Sequence, residues 1–153
     1  MIQQPTVLIA EDDPVFRHLL QYTLQRAGYR VVAVADGESA WQRWLAGGIH
    51  LLVTDQQMPR CSGIELISRI EDHCRSVVMG DDTSRDGSPS ERTPIILCTA
   101  KGLELDRRRL SDQLGLIDVL SKPFSPKQLT RLADGVLKGN AVNPSSMFFE
   151  PAV

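Results

Sequence analysis

Short apolar segments alternate with helical segments along this chain, and this alternation constrains its fold more than any other feature. Four segments are apolar enough to be buried strands, and a fifth is rich in β-branched residues. They cover residues 6–10, 51–54, 94–98 and 117–120 and, for the fifth, 29–34. Between them, apolar side chains recur at helical spacing, and in the first helix these are Phe16, Leu19, Leu20, Leu24 and Ala27. The repeated strand–helix unit is typical of an α/β protein whose parallel sheet carries helices on both faces.

Residues that favour helix ends mark where these helices begin. Four N-cap candidates are found, at Asp13, Asp36, Ser62 and Ser125. The last helix is the best marked, because Pro126 holds its first position and Gln128 completes a capping box with Ser125. One more helix is predicted over 104–114. With right-handed crossovers, five strands fit a doubly wound sheet of flavodoxin-like order 2-1-3-4-5.

Composition narrows the class of protein. The chain has 153 residues, 42% of them hydrophobic, which suits one domain with a core. Its net charge of -2 gives no reason to expect a nucleic-acid or membrane surface. No apolar run of transmembrane length and no signal-peptide pattern is recognised, and the three cysteines lack metal-ligand spacing. These features predict a cytoplasmic protein with reduced thiols.

Two segments fall outside the repeat. Residues 76–93 are rich in Gly, Ser, Asp, Arg and Pro, and we interpret them as a mobile insertion between the third helix and the fourth strand, with a long loop at its centre, Gly80–Arg92. A solvated insertion is favoured over a dedicated binding loop. Residues 140–153 contain Met147, Phe148 and Phe149 and form either a tail packed on the domain or the start of a linker. The predicted domain therefore covers residues 5–139.

Five chemically active residues occur where predicted strands end. Glu11 and Asp12 follow the first strand, and Asp55, Thr99 and Lys122 follow three others. Because the carboxyl ends of parallel strands lie along one edge of a sheet, these residues are predicted to converge. Each alone has a structural explanation, such as a helix cap or a surface lysine. Together, three carboxylates, a hydroxyl and an ammonium suit a divalent cation and a phosphoryl group.

The carboxylates are the candidate metal ligands. Mg²⁺ prefers oxygen ligands and typically takes one or two carboxylates plus a phosphate. We expect Asp12 and Asp55 to bind it directly, and Glu11 to act through water. The backbone carbonyl of Gln57 would complete the set. Asp13 is better explained as the cap of the first helix.

Asp55 is also the candidate nucleophile. A carboxylate can attack a phosphoryl group and form an aspartyl-phosphate, and Asp55 follows the most central apolar strand. Phosphoryl transfer depends on positioning and on neutralising charge more than on acid–base groups. Lys122 would therefore act as a point charge. Thr99 would donate its hydroxyl to a phosphoryl oxygen.

Four segments taken together resemble the signature of bacterial response regulator receiver domains. They are VLIAEDDP at 7–14, LLVTDQQMP at 51–59 with Gly63 after it, ILCTA at 96–100 and SKPF at 121–124. The resemblance covers roughly residues 5–139. It implies that Asp55 is the phosphoacceptor and that Glu11 and Asp12 hold Mg²⁺. It also implies that Thr99 and Lys122 are the hydroxyl and the lysine that these domains use.

Two features depart from the family pattern. The spacing from Asp55 to Thr99 is longer than usual, and the excess maps onto the insertion near 76–93. The position three before the lysine is often aromatic in the family but is Val119 here. We therefore expect the switch to be read through the loop after Thr99 alone. The resemblance further implies a cis peptide bond before Pro123.

The resemblance implies phosphorelay signal transduction. A sensor histidine kinase or a phosphotransfer protein would donate the phosphoryl group, and the face formed by the predicted fourth helix, fifth strand and fifth helix would bind a downstream protein. Such a domain catalyses only its own phosphoryl transfer and autodephosphorylation. No DNA-binding or catalytic module is recognised after residue 139, so we expect a stand-alone receiver without direct contact to nucleic acid or membrane. The basic run at 107–109 meets an acidic partner or forms a solvated face.

Three other classes of protein could use part of this residue set. A phosphatase with an aspartate nucleophile usually has a second acid two residues later, where this chain has Gln57. A nucleotide- or flavin-binding module would have a phosphate-binding loop after the first strand, where this chain has EDDP. The third alternative is a scaffold receiver that works by protein contacts without phosphorylation. Gln57 and Lys101 flank the site and are expected to tune the lifetime of the phosphoryl group.

Overall fold

The computed structural model describes residues 4–80, 93–99, 118–122 and 124–138. The strands are β1 (Thr6–Ala10), β2 (Arg30–Val34), β3 (Leu51–Asp55), β4 (Ile95–Thr99) and β5 (Asp118–Ser121). The helices are α1 (Pro14–Arg26), α2 (Gly37–Leu45), α3 (Gly63–Gly80) and a C-terminal helix (Pro126–Leu137). The strands form one sheet in the order β2-β1-β3-β4-β5, and every neighbouring pair is parallel. The predicted α/β fold and strand order are confirmed.

The register of the sheet aligns the strand ends that carry the candidate site. Ala10, the last residue of β1, pairs with Thr54 of β3. Asp55 pairs with Cys98 of β4, and Thr99 pairs with Ser121 of β5. Because all the strands run in the same direction, their carboxyl ends lie along one edge of the sheet.

A hydrophobic core lies on each face of the sheet. Alternate residues of β1 serve the two cores, since side chains of a strand point to opposite faces in turn. Val7 and Ile9 pack with α1 and the C-terminal helix, whereas Leu8 and Ala10 pack with α2 and α3. The sheet is thus covered on both sides, which leaves its edges as the accessible places for chemistry.

The predicted helix caps are confirmed. Asp13 accepts hydrogen bonds from the amides of Val15 and Phe16, and Asp36 accepts one from the amide of Ser39. A capping box joins Ser125 to Gln128 at the start of the C-terminal helix. A second capping box, not predicted, closes around Ser62 and Glu65: the Ser62 amide donates to the Glu65 carboxylate, and the Glu65 amide donates to the Ser62 hydroxyl.

Some boundaries differ from the sequence prediction. Asp55 and Thr99 are the last residues of β3 and β4 rather than the first residues beyond them. Helix α3 continues through residue 80, so an insertion that begins at residue 76 was wrong for its first five positions. The rest of that insertion up to residue 92, the helix predicted over 104–114 and the segment 140–153 lie outside the described residues.

Two further expectations can be compared with the described residues. No disulfide joins any of the three cysteines, Cys61, Cys74 and Cys98. None of the helices in the described ranges is both long enough and apolar enough to cross a bilayer.

Candidate functional site

The structure brings the predicted site residues together at the carboxyl edge of the sheet. The Lys122 Nζ atom lies 2.9 Å from Asp55 Oδ1 and 3.3 Å from Glu11 Oε1. Carboxylate oxygens of Glu11, Asp12 and Asp55 all lie within 4.8 Å of one another. The backbone amide of Lys122 donates to the carbonyl of Thr99 at 2.8 Å, so Thr99 lies beside Lys122 at the same edge of the sheet.

Burial divides these residues into two groups. Glu11 is 1% exposed, Thr99 4% and Asp55 7%, whereas Asp12 is exposed to solvent. A buried carboxylate requires a partner of opposite charge or hydrogen-bond donors. Lys122 supplies that partner for both Asp55 and Glu11, and Asp12 stands at the mouth of the cluster, where solvent reaches it.

Glu11 is held in place from several directions. Its amide donates to the carbonyl of Val34 at 3.1 Å, and its carbonyl accepts a hydrogen bond from Arg17 Nη1 at 2.9 Å. Its carboxylate accepts one from the amide of Asp13 at 3.1 Å. Burial raises the pKa of Glu11 against the lowering effect of the Asp13 amide, and repulsion by Asp55 adds to the rise while Lys122 opposes it.

Lys122 is positioned by an aromatic ring as well as by carboxylates. Its Nζ atom lies 4.6 Å from the centre of the Phe16 ring, and Phe16 in turn meets Phe124 edge to face. Burial alone would lower the pKa of Lys122, but the hydrogen bond to Asp55 and the charge of Glu11 outweigh it and raise the pKa. The lysine is therefore a fixed positive charge directed at Asp55.

The donor set fits a divalent cation. Within the described part of the chain, three carboxylates face one ammonium in this cluster, which leaves an excess of negative charge. Hard oxygen ligands of this kind suit Mg²⁺, which keeps some of its waters. Asp12, Asp55 and Glu11 would hold the ion. Gln57, whose backbone carbonyl is the remaining predicted ligand, is exposed two residues after Asp55.

The loop that follows Asp55 depends on a glycine. A Cβ atom on Gly63 would lie 2.4 Å from the carbonyl oxygen of Asp55, closer than any real contact. Only glycine allows α3 to begin this close to the end of β3. Gly63 therefore fixes the distance between the candidate nucleophile and the helix behind it.

Val119 is buried and belongs to the core on the α2 and α3 side of the sheet. The described structure thus has an aliphatic side chain at the position that is often aromatic in the family. The predicted cis bond before Pro123, the flanking Lys101 and the basic run at 107–109 lie outside the described residues.

Sequence reasoning missed three residues of the site. Phe16 was recognised only as part of the apolar face of α1, yet it supports Lys122. Arg17 binds the backbone of Glu11, and Gln56 binds the start of α3 through its side chain. Phe16 and Arg17 lie one turn beyond the Asp13 cap, which is a signal that they reach back toward the strand end. No spacing signal marks Gln56.

Comparisons with known proteins agree with this geometry. The sequence matches the response regulator receiver domain family over residues 7–134. It is 30% identical to the alkaline phosphatase synthesis transcriptional regulatory protein PhoP of Bacillus subtilis over 92% of this chain and 52% of that protein. It is 31% identical to the transcriptional regulatory protein CpxR of Escherichia coli over 86% of this chain and 49% of that protein. The chain thus spans about half the length of the curated relatives it matches.

Two similar solved structures add detail. The receiver domain of Ssk1, crystallised with the histidine phosphotransfer signaling protein Ypd1 of Saccharomyces cerevisiae, has a TM-score of 0.76 at 26% identity, covering 94% of this chain and 96% of that one. The receiver domain of the sensor histidine kinase PA1611 of Pseudomonas aeruginosa has a TM-score of 0.68 at 28% identity, covering 88% and 98%. That structure has a magnesium ion coordinated in its active site cleft. This chain belongs to the response regulator receiver domain family of two-component signalling proteins.

Proposed function

We propose that this protein accepts a phosphoryl group on Asp55 from a phosphohistidine donor and thereby switches its binding to a downstream protein. One observation carries the proposal: the buried Asp55 carboxylate touches the Lys122 ammonium at 2.9 Å inside a group of three carboxylates. A structural salt bridge needs one acid, whereas a phosphoacceptor beside a metal site needs several. The magnesium-bound similar structure supports the same assignment.

In the proposed reaction, one carboxylate oxygen of Asp55 bonds to phosphorus as the phosphorus–nitrogen bond of phosphohistidine breaks. The released imidazole keeps the electron pair of that bond and takes up a proton. Bound Mg²⁺ would neutralise charge on the phosphoryl oxygens during transfer. Lys122 stays positive because its pKa is raised by the hydrogen bond to Asp55 and by the Glu11 charge, which outweigh burial. It therefore stabilises the same oxygens from the protein side.

The proposed switch uses the bond between two strand ends. Because the Lys122 amide donates to the Thr99 carbonyl, a movement of Thr99 toward a phosphoryl oxygen would also displace Lys122 and the end of β5. We infer that the response reaches the predicted partner-binding face through β5 and the C-terminal helix; the segment between β4 and β5, which would complete this face, lies outside the described residues. A stand-alone receiver would present this face to a protein partner.

The phosphodonor needs a surface beside the pocket, and α1 offers one. Val15 is 77% exposed, Leu19 43% and Tyr22 52%, although all three are large hydrophobic residues. Their spacing puts them on one side of the helix, in a stripe that starts next to the Asp13 cap. The helical spacing places Leu19 among the apolar positions of this helix, yet its side chain is exposed. Exposed apolar stripes mark interaction surfaces, so we infer that the donor protein contacts this one.

The test is the intact mass of the protein after incubation with acetyl phosphate, with and without Mg²⁺. We expect the wild type to gain one phosphoryl group only when Mg²⁺ is present, and Asp55→Asn to gain none. Asp72→Asn is the matched control, because Asp72 is an acid on α3 whose side chain is 76% exposed and pairs with Arg75 one turn further along the helix. It should be labelled like the wild type.

Two results would contradict the proposal. Labelling of Asp55→Asn at the wild-type rate would move the phosphoacceptor elsewhere. No labelling of any variant, by acetyl phosphate or by a histidine kinase, would favour the alternative of a scaffold that acts by protein contacts alone.

A further inference from the structure

Gln56, the residue directly after the proposed phosphoacceptor, joins three elements of the fold. Its amide donates to the carbonyl of Cys98 on β4 at 2.9 Å, and its carbonyl accepts from the amide of Gly63 at 2.9 Å. Its side-chain oxygen Oε1 accepts from the amide of Ile64 at 2.8 Å. The end of β3, the end of β4 and the beginning of α3 are therefore tied together at one residue.

These bonds close the loop that carries the Gln57 carbonyl. The loop leaves β3 at Gln56 and ends at Gly63, the first residue of α3. A backbone hydrogen bond joins these two residues. The carbonyl of Asp55 accepts from the Thr54 hydroxyl at 3.0 Å, and the absence of a side chain on Gly63 lets α3 begin against that same carbonyl. A shift of the loop base therefore moves the candidate ligands with it.

The side-chain bond of Gln56 is the part that the residue type determines. Any amino acid except proline would make the two backbone bonds, but only a side chain with an acceptor at the right reach can bind the Ile64 amide. That amide is one of the four at a helix start that lack a partner in the helix. Helix α3 already has the capping box between Ser62 and Glu65. The Gln56 bond differs from this cap because it links the helix to the phosphoacceptor strand.

We propose that Gln56 is a positioning residue for the metal site: its side chain fixes the loop that presents the Gln57 carbonyl and so sets the affinity of the protein for Mg²⁺. The inference rests on the proposed function, in which Asp55 and its neighbours hold the ion. Metal affinity commonly falls about 10-fold or more when a residue that orients the metal ligands by hydrogen bonding is removed. Gln56 orients the loop in this way through its hydrogen bond from the Ile64 amide.

The experiment measures the Kd for Mg²⁺ by isothermal titration calorimetry on the unphosphorylated protein. Gln56→Leu keeps the size of the side chain but removes the acceptor, and Gln56→Met is a second variant of the same kind. We expect both to weaken Mg²⁺ binding about 10-fold. Gln56→Glu retains an acceptor for the Ile64 amide and is expected to bind Mg²⁺ at least as tightly as the wild type.

Ser62→Ala separates positioning from helix stability. It removes the hydroxyl that caps α3 but leaves the link between Gln56 and Ile64 intact. We expect a lower unfolding midpoint in urea with an unchanged Kd for Mg²⁺. In metal-free protein, amide hydrogen exchange of Ile64, followed by NMR, should be faster in Gln56→Leu than in the wild type and unchanged in Gln56→Glu.

The possible failures are distinguishable. A wild type that does not bind Mg²⁺ would overturn the proposed function and this inference with it. A wild type that binds Mg²⁺, beside folded Gln56→Leu and Gln56→Met variants whose Kd stays within about twofold of it, would overturn the inference alone. An equal loss of affinity in Ser62→Ala would also overturn it, because helix stability would then explain the effect.

Discussion

Two polar clusters in this molecule each join residues near the start of the chain to residues after β4, yet they differ in charge balance. The site cluster at the carboxyl edge of the sheet has three carboxylates, Glu11, Asp12 and Asp55, around the ammonium of Lys122. The second cluster, which we call the latch, consists of Tyr29, Asp134 and Lys138. There the Tyr29 hydroxyl donates to the Asp134 carboxylate, and Lys138 Nζ lies 3.5 Å from the same carboxylate.

The latch is balanced and the site is not. One acid faces one lysine in the latch, and the lysine also lies 5.7 Å from the centre of the Tyr29 ring. The pKa of Tyr29 is raised by burial and by its bond to Asp134, so its hydroxyl stays protonated and donates at every ordinary pH. The hydrogen bond from Tyr29 to a charged partner contributes to stability, whereas carboxylates that repel one another cost stability and indicate a ligand that compensates them. Charge balance thus separates a structural contact from a functional one.

The largest expected effect comes from the lysine of the site cluster. In Lys122→Met the point charge on the phosphoryl oxygens is lost, and the rate of phosphorylation by acetyl phosphate should fall about 100-fold, as for removal of one transition-state donor. The rate is measured by intact mass against time at saturating Mg²⁺. Lys138→Met is the control, since it removes the lysine of the latch. A rate in Lys122→Met within threefold of the wild type, or an equal loss in Lys138→Met, would contradict the comparison.

The next largest effect is expected from the latch, where a substitution should lower stability but leave phosphorylation unchanged. Tyr29→Phe removes one hydrogen bond to a charged group and should lower the free energy of unfolding by about 1.5–3 kcal/mol, without slowing phosphorylation. Urea unfolding measures the first quantity and intact mass the second. Tyr22→Phe is the matched control: Tyr22 is 52% exposed and bonded through its hydroxyl to Arg26, so its loss should cost about 0.5 kcal/mol or less. A latch variant that folds stably but is phosphorylated slowly would give the latch a functional role.

The two clusters also differ in how far the sequence predicted them. Asp55 and Lys122 could be placed together because each ends or follows an apolar strand, and parallel strands bring such ends to one edge. Tyr29 and Asp134 lie 105 residues apart, and no sequence pattern predicts that they are in contact. Their contact depends on how the C-terminal helix crosses the sheet, which is set by packing rather than by any local pattern.

Local signals explain the remaining agreements and errors. Caps at Asp13 and Ser125 were predictable because a side-chain acceptor before a helical run satisfies free amides. The end of α3 was not, because Ser76 begins a polar and glycine-rich stretch whose composition favours a loop, while the helix carries on through residue 80. The support of Lys122 by Phe16 was missed because the ring was expected only in the core.

The smallest expected effect concerns the cost of the unbalanced charge itself. Burial raises the pKa of Glu11, and repulsion by Asp55 raises it further. The hydrogen bond from the Asp13 amide and the charge of Lys122 lower it. The net result is a pKa above the ordinary value of 4.5. Folding therefore favours the protonated form of Glu11. The contribution of this protonated carboxyl to the free energy of unfolding is fully present below pH 4.5 and is lost as the pH rises through the raised pKa. Glu11→Gln stays neutral and escapes that loss.

In metal-free buffer, Glu11→Gln should accordingly unfold at a higher urea concentration than the wild type near neutral pH. The difference should shrink as the pH falls and disappear below the ordinary pKa of a glutamate. Urea unfolding with EDTA over this pH range measures it, and the Lys122 bond to Asp55 keeps the lysine paired in the variant. A difference that does not change with pH would mean that the charge of Glu11 costs nothing in the folded protein. The excess of carboxylates would then cease to distinguish the site from the latch.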